Sequence, residues 1–125
     1  MLRNAAILTA ILCNIALPAI AQEVRRYTGT VAVGQEFAFD HWLNYDESTC
    51  MDRGFVKITL GTRPTIGKLR MQRIKVSSNS GPCANRRLSA VFLYYRAGKV
   101  SGSDAFDYKV QGGTNVSVLA TVVVN

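Results

Sequence analysis

The sequence predicts an all-β protein, an antiparallel sandwich of about seven strands. Three observations indicate this class. After residue 22, no apolar repeat of helical period extends over more than two turns, and alternation of apolar and polar residues recurs instead. The alternating segments are rich in β-branched and aromatic residues. Turn-forming residues separate them at intervals close to those of a sandwich, so this part of the chain is predicted to be one domain.

The first 21 residues are predicted to be a signal peptide outside the fold. Arg3 precedes an apolar run at residues 5–17, and Ala19 and Ala21 supply the small residues that a signal peptidase needs. The run is shorter than the roughly 20 residues that span a bilayer, so no membrane span is expected. Cleavage would leave residues 22–125, and the net charge of +7 would fall to +6 with the loss of Arg3. Export predicts a periplasmic or secreted location.

The predicted strands follow one another along the domain, separated by turns rich in glycine, proline, asparagine or serine. They are residues 28–33, 36–39, 55–60, 68–76, 88–95, 105–110 and 116–124. In the last segment every second residue from Val116 onward is apolar, which predicts one strongly buried face.

The fourth predicted strand shows a change of register. Leu69 and Met71 occupy one set of alternate positions, but Ile74 and Val76 occupy the other set. A slip of one residue reverses the direction of every side chain, so the sequence predicts a β-bulge at residues 72–73. The bulge would place all the cations of this strand on one face, namely Lys68, Arg70, Arg73 and Lys75.

Two cysteines, Cys50 and Cys83, remain after removal of the signal peptide. In an exported protein an even pair predicts one disulfide. The bridge would enclose 32 residues and stabilise the fold by about 3–4 kcal/mol. A reactive or metal-binding pair is the alternative, but the chain has no C-x-x-C spacing and no histidine near either cysteine.

Residues 102–110 have the form G-x-D-x-F-x-Y-x-V, which resembles the penultimate strand of immunoglobulin-like domains. The resemblance assigns a tyrosine corner to Asp104, Phe106 and Tyr108. Residues 62–69, with the form T-x-P-x-x-G-x-L, are similar to a turn in the bacterial cadherin-like branch, which also closes on a valine-rich strand. The resemblance covers residues 55–125 and implies an immunoglobulin-like sandwich. Members of this branch usually act as spacers or adhesive modules of surface proteins.

The cysteines depart from the family pattern. Antibody-type domains have the order Cys, Trp, Cys, whereas Trp42 here precedes both Cys50 and Cys83. The bridge is therefore expected to join the loop after Trp42 to the turn before the strand at 88–95.

Charge is segregated along the chain. Eleven Lys and Arg and no acid lie between residues 53 and 103, while five of the eight acids lie between residues 36 and 52. Two interpretations stay open: a solubilising surface, or a face that binds anionic polysaccharide, lipopolysaccharide or another envelope polymer. Nucleic acid is disfavoured because adjacent Tyr94 and Tyr95 point to opposite faces. The candidate anion-binding residues are Lys68, Arg70, Arg73 and Lys75, followed by Arg86, Arg87, Arg96 and Lys99.

Other chemistries find less support. The acids Asp40, Asp46, Glu47 and Asp52 lack the spacing of a calcium loop, and are predicted to form turns and to pair with Arg53 or Lys57. His41 is the only histidine, and no serine lies in a G-x-S-x-G frame. No catalytic site, cofactor or metal is therefore predicted.

The sequence thus predicts an exported, non-catalytic module with a basic face for anionic envelope or surface polymers. An alternative is a structural or adhesive module that binds a protein by strand addition at its C-terminal strand, taken as a free edge.

Overall fold

A computed structural model of the protein describes residues 22–125, so the predicted signal peptide lies outside the described residues. All seven predicted strands form, and the all-β class is confirmed. The described residues contain no helix that could cross a membrane. The strands are β1 (Glu23–Val31), β2 (Glu36–Leu43), β3 (Lys57–Leu60), β4 (Gly67–Val76), β5 (Leu88–Ala97), β6 (Gly102–Gln111) and β7 (Asn115–Val124).

The strands form two sheets, with the orders β1-β7-β6-β3 and β2-β5-β4. Their inner faces pack against each other around one apolar core, which confirms a β-sandwich. The sandwich is not wholly antiparallel, because β1 runs parallel to β7. The chain crosses to the other sheet between β1 and β2, so β1 pairs with the last strand instead of forming a hairpin with β2.

Strand β7 has the buried face that its alternation predicts. The five inward side chains of β7, from Val116 to Val124, are at most 3% exposed. The prediction that this strand is a free edge is wrong, because β7 is bonded to β1 on one side and to β6 on the other. Both sets of its backbone groups are therefore occupied, and strand addition at β7 is excluded in this fold.

Strand β4 pairs with β5 without a break, from Gly67 opposite Ala97 to Val76 opposite Leu88. The predicted bulge at residues 72–73 is therefore wrong. The continuous ladder enforces strict alternation, so the cations divide between two faces. Lys68 and Arg70 lie on the outer face of the sheet, whereas Arg73 and Lys75 lie on the face turned toward the other sheet.

The apolar residues in the second half of β4 have a separate explanation. Val76 and Leu88 line an outer groove of about 360 Å³ with Pro82 and Cys83 of the turn that precedes β5. The outer face of the sheet is therefore apolar at this end. Val76 is partly covered there without any change of register in β4. The register shift in this sheet lies in β2 instead, between Ala38 and Asp40.

The predicted disulfide between Cys50 and Cys83 is confirmed, with 5.4 Å between the two Cα atoms. It joins the loop after β2 to the turn before β5, as expected. The bridge therefore holds the two long connections at one end of the β2-β5-β4 sheet.

Candidate functional site

The candidate cations of β5 and its flanking loops lie at opposite ends of the sheet. Arg87 precedes β5 and Arg96 is near its end, so nine residues of extended chain separate them by about 30 Å. Arg86 lies beside Arg87, and Lys99 lies in the loop that follows β5. Because β4 also divides its four cations, the predicted cations do not form a single basic face.

Three cations do come together, at the end of the sheet where β4 begins and β5 ends. Lys68 and Arg96 are cross-strand partners on the outer face and line one cleft of about 450 Å³. Arg63 and Lys68 line a neighbouring depression of about 310 Å³. In the described part of the chain, no carboxylate lies within 4.0 Å of any of the three side chains. We call Arg63, Lys68 and Arg96 the cationic corner.

Arg70 adjoins the cationic corner but is already engaged. Its Nη2 donates to Glu36 Oε1 at 2.7 Å, and its guanidinium lies 4.1 Å from the centre of the Tyr94 ring. The hydrogen bond from Arg70 is the main reason that the pKa of Glu36 is below its ordinary value, and the charge of Arg96 adds to it. Glu36 is also the partner of Arg96 in the pairing of β2 with β5. Its ion pair is with Arg70, so Arg96 has Glu36 as a neighbour but no bonded carboxylate among residues 22–125.

A buried carboxylate holds the loop that carries Arg63. Asp104 is 1% exposed and accepts hydrogen bonds from the backbone N–H groups of Thr65 at 2.8 Å and Ile66 at 3.1 Å. It also accepts one from the hydroxyl of Tyr95 at 2.7 Å. Burial alone would raise the pKa of Asp104, but these bonds hold it below its ordinary value. The carboxylate thus fixes the loop through backbone groups and leaves the cations free.

Two glycines let this loop approach the strands. A Cβ atom at Gly67 would overlap the ring of Tyr95, which is fully buried directly beneath the start of β4. A Cβ atom at Gly61 would overlap the carboxylate of Asp107, whose Oδ1 accepts the N–H of Thr62 at 3.1 Å. The T-x-P-x-x-G-x-L turn is therefore in direct contact with the acids of β6.

Tyr108 does not make the bond that defines a tyrosine corner. Its hydroxyl donates to Asp40 on β2 in the opposite sheet, instead of to backbone a few residues upstream. The register shift in β2 brings Phe39 and Asp40 both inward, and Trp42 Nε1 donates to the same carboxylate at 2.7 Å. Burial and then the bond to Asp40 raise the pKa of Tyr108. Phe106 is 2% exposed and packs against Phe39 in the core.

The acids of the N-terminal half have separate structural roles. Asp46 pairs with Arg53 at 3.0 Å, as predicted, and accepts bonds from Ser48 and Thr49 in a turn. The hydroxyl of Ser48 is the main reason that the pKa of Asp46 is lowered to about 2. Asp52 instead joins its loop to β4 and β5, through Lys75 at 2.8 Å and the Ser89 hydroxyl at 2.6 Å.

A row of aromatic side chains on the outer face was not identified from the sequence. His41 stacks on Phe92 with 5.4 Å between ring centres, and Phe92 lies 6.5 Å from Tyr94. The row connects the apolar groove to Arg70 beside the cationic corner. In the sequence, Phe92 and Tyr94 occupy alternate positions, which indicates that they share a face. That His41 lies beside them follows only from the pairing of β2 with β5.

Comparison of the chain with protein-family models, curated proteins and solved structures found no match. The chemistry of the surface is therefore what indicates its function. The cationic corner offers exposed positive charge with no bonded carboxylate in the part of the chain that the structure describes. Two of its three members are arginines, whose planar guanidinium fits carboxylate, sulfate or phosphate oxygens in pairs.

Proposed function

We propose that this protein is an exported, non-catalytic binding module of the immunoglobulin-like type, and that its cationic corner binds anionic groups of an envelope or surface polymer. The observation that carries the proposal is the group of three cations, with Lys68 directly opposite Arg96 and no carboxylate of the described residues bonded to either. Glu36 lies on the other side of Arg96, but it is bound to Arg70. The polymer would be a phosphate-, sulfate- or carboxylate-bearing polysaccharide or lipopolysaccharide.

Support for the immunoglobulin-like assignment comes from the strand order. The orders β2-β5-β4 and β7-β6-β3 match the order of the corresponding strands in constant-type immunoglobulin domains. The difference is β1, which joins the sheet of β7 instead of that of β2. A second support is the contact between the two motifs of the resemblance, since Asp104 binds Thr65 and Ile66.

Support for anion binding comes from the closeness of Lys68 and Arg96. Cross-strand partners have Cα atoms about 4.5–5.5 Å apart, so Lys68 and Arg96 are close enough to share one anionic group. Each would otherwise repel the other, and an anion removes that repulsion. Arg63 extends the positive surface to a second depression, so successive charges of a polymer can be bound together.

The test is chromatography on immobilised heparin, a sulfated polysaccharide, with a charge-matched control. The variant Arg63→Ala/Lys68→Ala/Arg96→Ala removes the corner. Arg86→Ala/Arg87→Ala/Lys109→Ala removes the same charge from sites elsewhere. We expect the corner variant to elute at clearly lower salt and to bind heparin about tenfold more weakly, since three exposed contacts of 0.2–1 kcal/mol are lost. Equal shifts for both variants would show that only net charge matters and would overturn the proposal.

A further inference from the structure

Strand β4 is a long free edge. Within residues 22–125 its ten residues are bonded to β5 alone, with no bulge or proline to interrupt the outer row of backbone groups. Such an edge can accept an additional strand. Natural proteins commonly protect an edge with charged side chains, and β4 carries four cations.

The four cations flank this edge on both faces. On the outer face Arg70 is bound to Glu36, and Lys68 has no described carboxylate near it. On the inner face Lys75 is bound to Asp52, and Arg73 likewise has no described carboxylate near it. Each face thus shows one cation bound to a carboxylate of this chain and one that is bound to none that the structure describes. Arg73 instead has its guanidinium 5.8 Å from the centre of the Phe55 ring.

A cleft opens beside the edge. Strands β3 and β4 are the edges of the two sheets on the same side of the sandwich, and a cavity of about 340 Å³ lies between them. Val56, Ile58 and Val91 line it from the core, and Met71 and Arg73 line it from β4. Met71 is 46% exposed there, an unusual value for a methionine on the core face of a sandwich.

We propose that β4 is a docking edge for an extended acidic peptide of a partner protein. The peptide would add as a fourth strand beside β4, place one acidic side chain opposite Lys68 on the outer face, and place another opposite Arg73 on the inner face. An apolar side chain opposite Met71 would enter the cleft.

The geometry of β4 specifies the order of these side chains. Positions 68 and 73 are five residues apart, so their partners on an added strand point to opposite faces, and positions 71 and 73 share the inner face. The matching peptide has the pattern E-x-x-Φ-x-E or its reverse, where Φ is apolar. A polymer lying on one face of the sheet could reach only two of the four cations, whereas an added strand lies between both pairs.

A second copy of this protein is a poor occupant of this edge. Two β4 strands would bring four cations against four, and like charges that face each other across a pair of strands destabilise it. The other edge of the same sheet, β2, is interrupted by its register shift between Ala38 and Asp40. The same cations that exclude β4 of another copy favour an acidic strand.

The first test uses fluorescein-labelled synthetic peptides and fluorescence polarisation. Two ten-residue probes are compared, with the E-x-x-Val-x-E pattern for a parallel strand and the E-x-Val-x-x-E pattern for an antiparallel one. The control for the tighter probe has the same composition with one glutamate moved by one position. Two further peptides keep every side chain of the tighter probe, and each carries N-methyl groups on the amides of one of its two edges. We expect the control to bind about fivefold more weakly, because one exposed ion pair is lost. We also expect N-methylation of at least one of the two edges to abolish binding, because the added strand must donate backbone hydrogen bonds to β4. Equal binding of all these peptides would show attraction by charge alone and would overturn the proposal.

The second test uses variants that separate this edge from the cationic corner. Arg73→Glu should weaken binding of the probe peptide about fivefold or more and leave heparin elution no lower than in a variant with the same charge change at Arg86. Arg96→Glu should lower heparin elution and leave peptide binding at the level of that same control. Amide hydrogen exchange should show new protection in β4 when the peptide is added. Unchanged exchange in β4, or a dimer of the free protein that the peptide does not dissociate, would contradict strand addition here.

Discussion

The two ends of the β2-β5-β4 sheet hold their loops by different means. At one end Asp104 is buried and binds the backbone of Thr65 and Ile66, so this carboxylate pairs with none of the three cations of the cationic corner. At the other end a disulfide joins the loops, and Asp52 binds Lys75. The position of free positive charge in this protein therefore depends on what each acid binds, and not only on where the cations lie in the sequence.

Asp104→Asn is expected to have the largest effect, because it disrupts the hydrogen bonds that hold the loop at the end with the cationic corner. In Asp104→Asn the charge is lost, and an amide nitrogen, which cannot accept, replaces one carboxylate oxygen. Either the bond from Thr65 to Oδ1 or the bonds from Ile66 and Tyr95 to Oδ2 are therefore lost. We expect the free energy of unfolding to fall by about 2–3 kcal/mol in urea denaturation, because a buried, charge-assisted network is broken. Heparin elution of the folded variant should also move to lower salt, since the loop with Arg63 is released.

Asp107→Asn is the matched control for this change. Asp107 lies on the same strand, but its side chain accepts one bond, from Thr62 at 3.1 Å. A loss of about 1 kcal/mol or less is expected for it. Equal losses for the two variants would show that any change of β6 acids loosens the loop, and would remove the special role of Asp104.

The next effect concerns the disulfide end and depends on pH. Asp52→Asn should lower the free energy of unfolding at pH 7 by about 1–2 kcal/mol, through weaker bonds to Lys75 and Ser89. The bond from Lys75 is the main reason that the pKa of Asp52 lies below its ordinary value of 3.8. A lowered pKa stabilises the fold above the ordinary value and ceases to do so as the pH falls through the lowered one.

The difference between wild type and Asp52→Asn should therefore stay constant from pH 7 to about pH 5 and shrink below about pH 4. Urea denaturation at a series of pH values measures it. A difference that grows as the pH falls would contradict the assignment of Asp52 as an ionised group bound to Lys75.

The fold was more predictable from the sequence than the site. Strand β7 has one clearly buried face, so the alternation of its residues was enough to predict both the strand and its orientation. Strand β4 has apolar residues on both faces. A bulge, or an apolar contact on the outer face, explains this pattern equally well from the sequence. Only the structure shows that the turn with Pro82 and Cys83 supplies such a contact. The shift in β2 gave no signal, because Asp40 is a polar residue that faces inward to bind Tyr108.

The acid-free, basic segment at residues 53–103 could be located in the sequence, but the positions of its cations in space could not. Arg87 and Arg96 belong to one acid-free segment, yet β5 places them at opposite ends of the sheet. The partners of the cations depend on contacts between distant segments, such as Arg70 with Glu36, which are 34 positions apart. A one-dimensional charge pattern does not contain that information.

Glu36→Gln is expected to have the smallest effect, and it differs from the other variants because it should strengthen heparin binding. Glu36→Gln releases Arg70 beside the cationic corner, so a fourth cation becomes available to an anion. Asp46→Asn gives the same change of net charge but releases Arg53, which lies in the loop after β2 and away from the corner. We expect Glu36→Gln to bind heparin about two- to threefold more tightly and to elute at higher salt, since one exposed contact is gained. Asp46→Asn should shift elution less. If the two variants shifted equally, net charge would govern binding, and the partners of the acids would have no bearing on where anions bind.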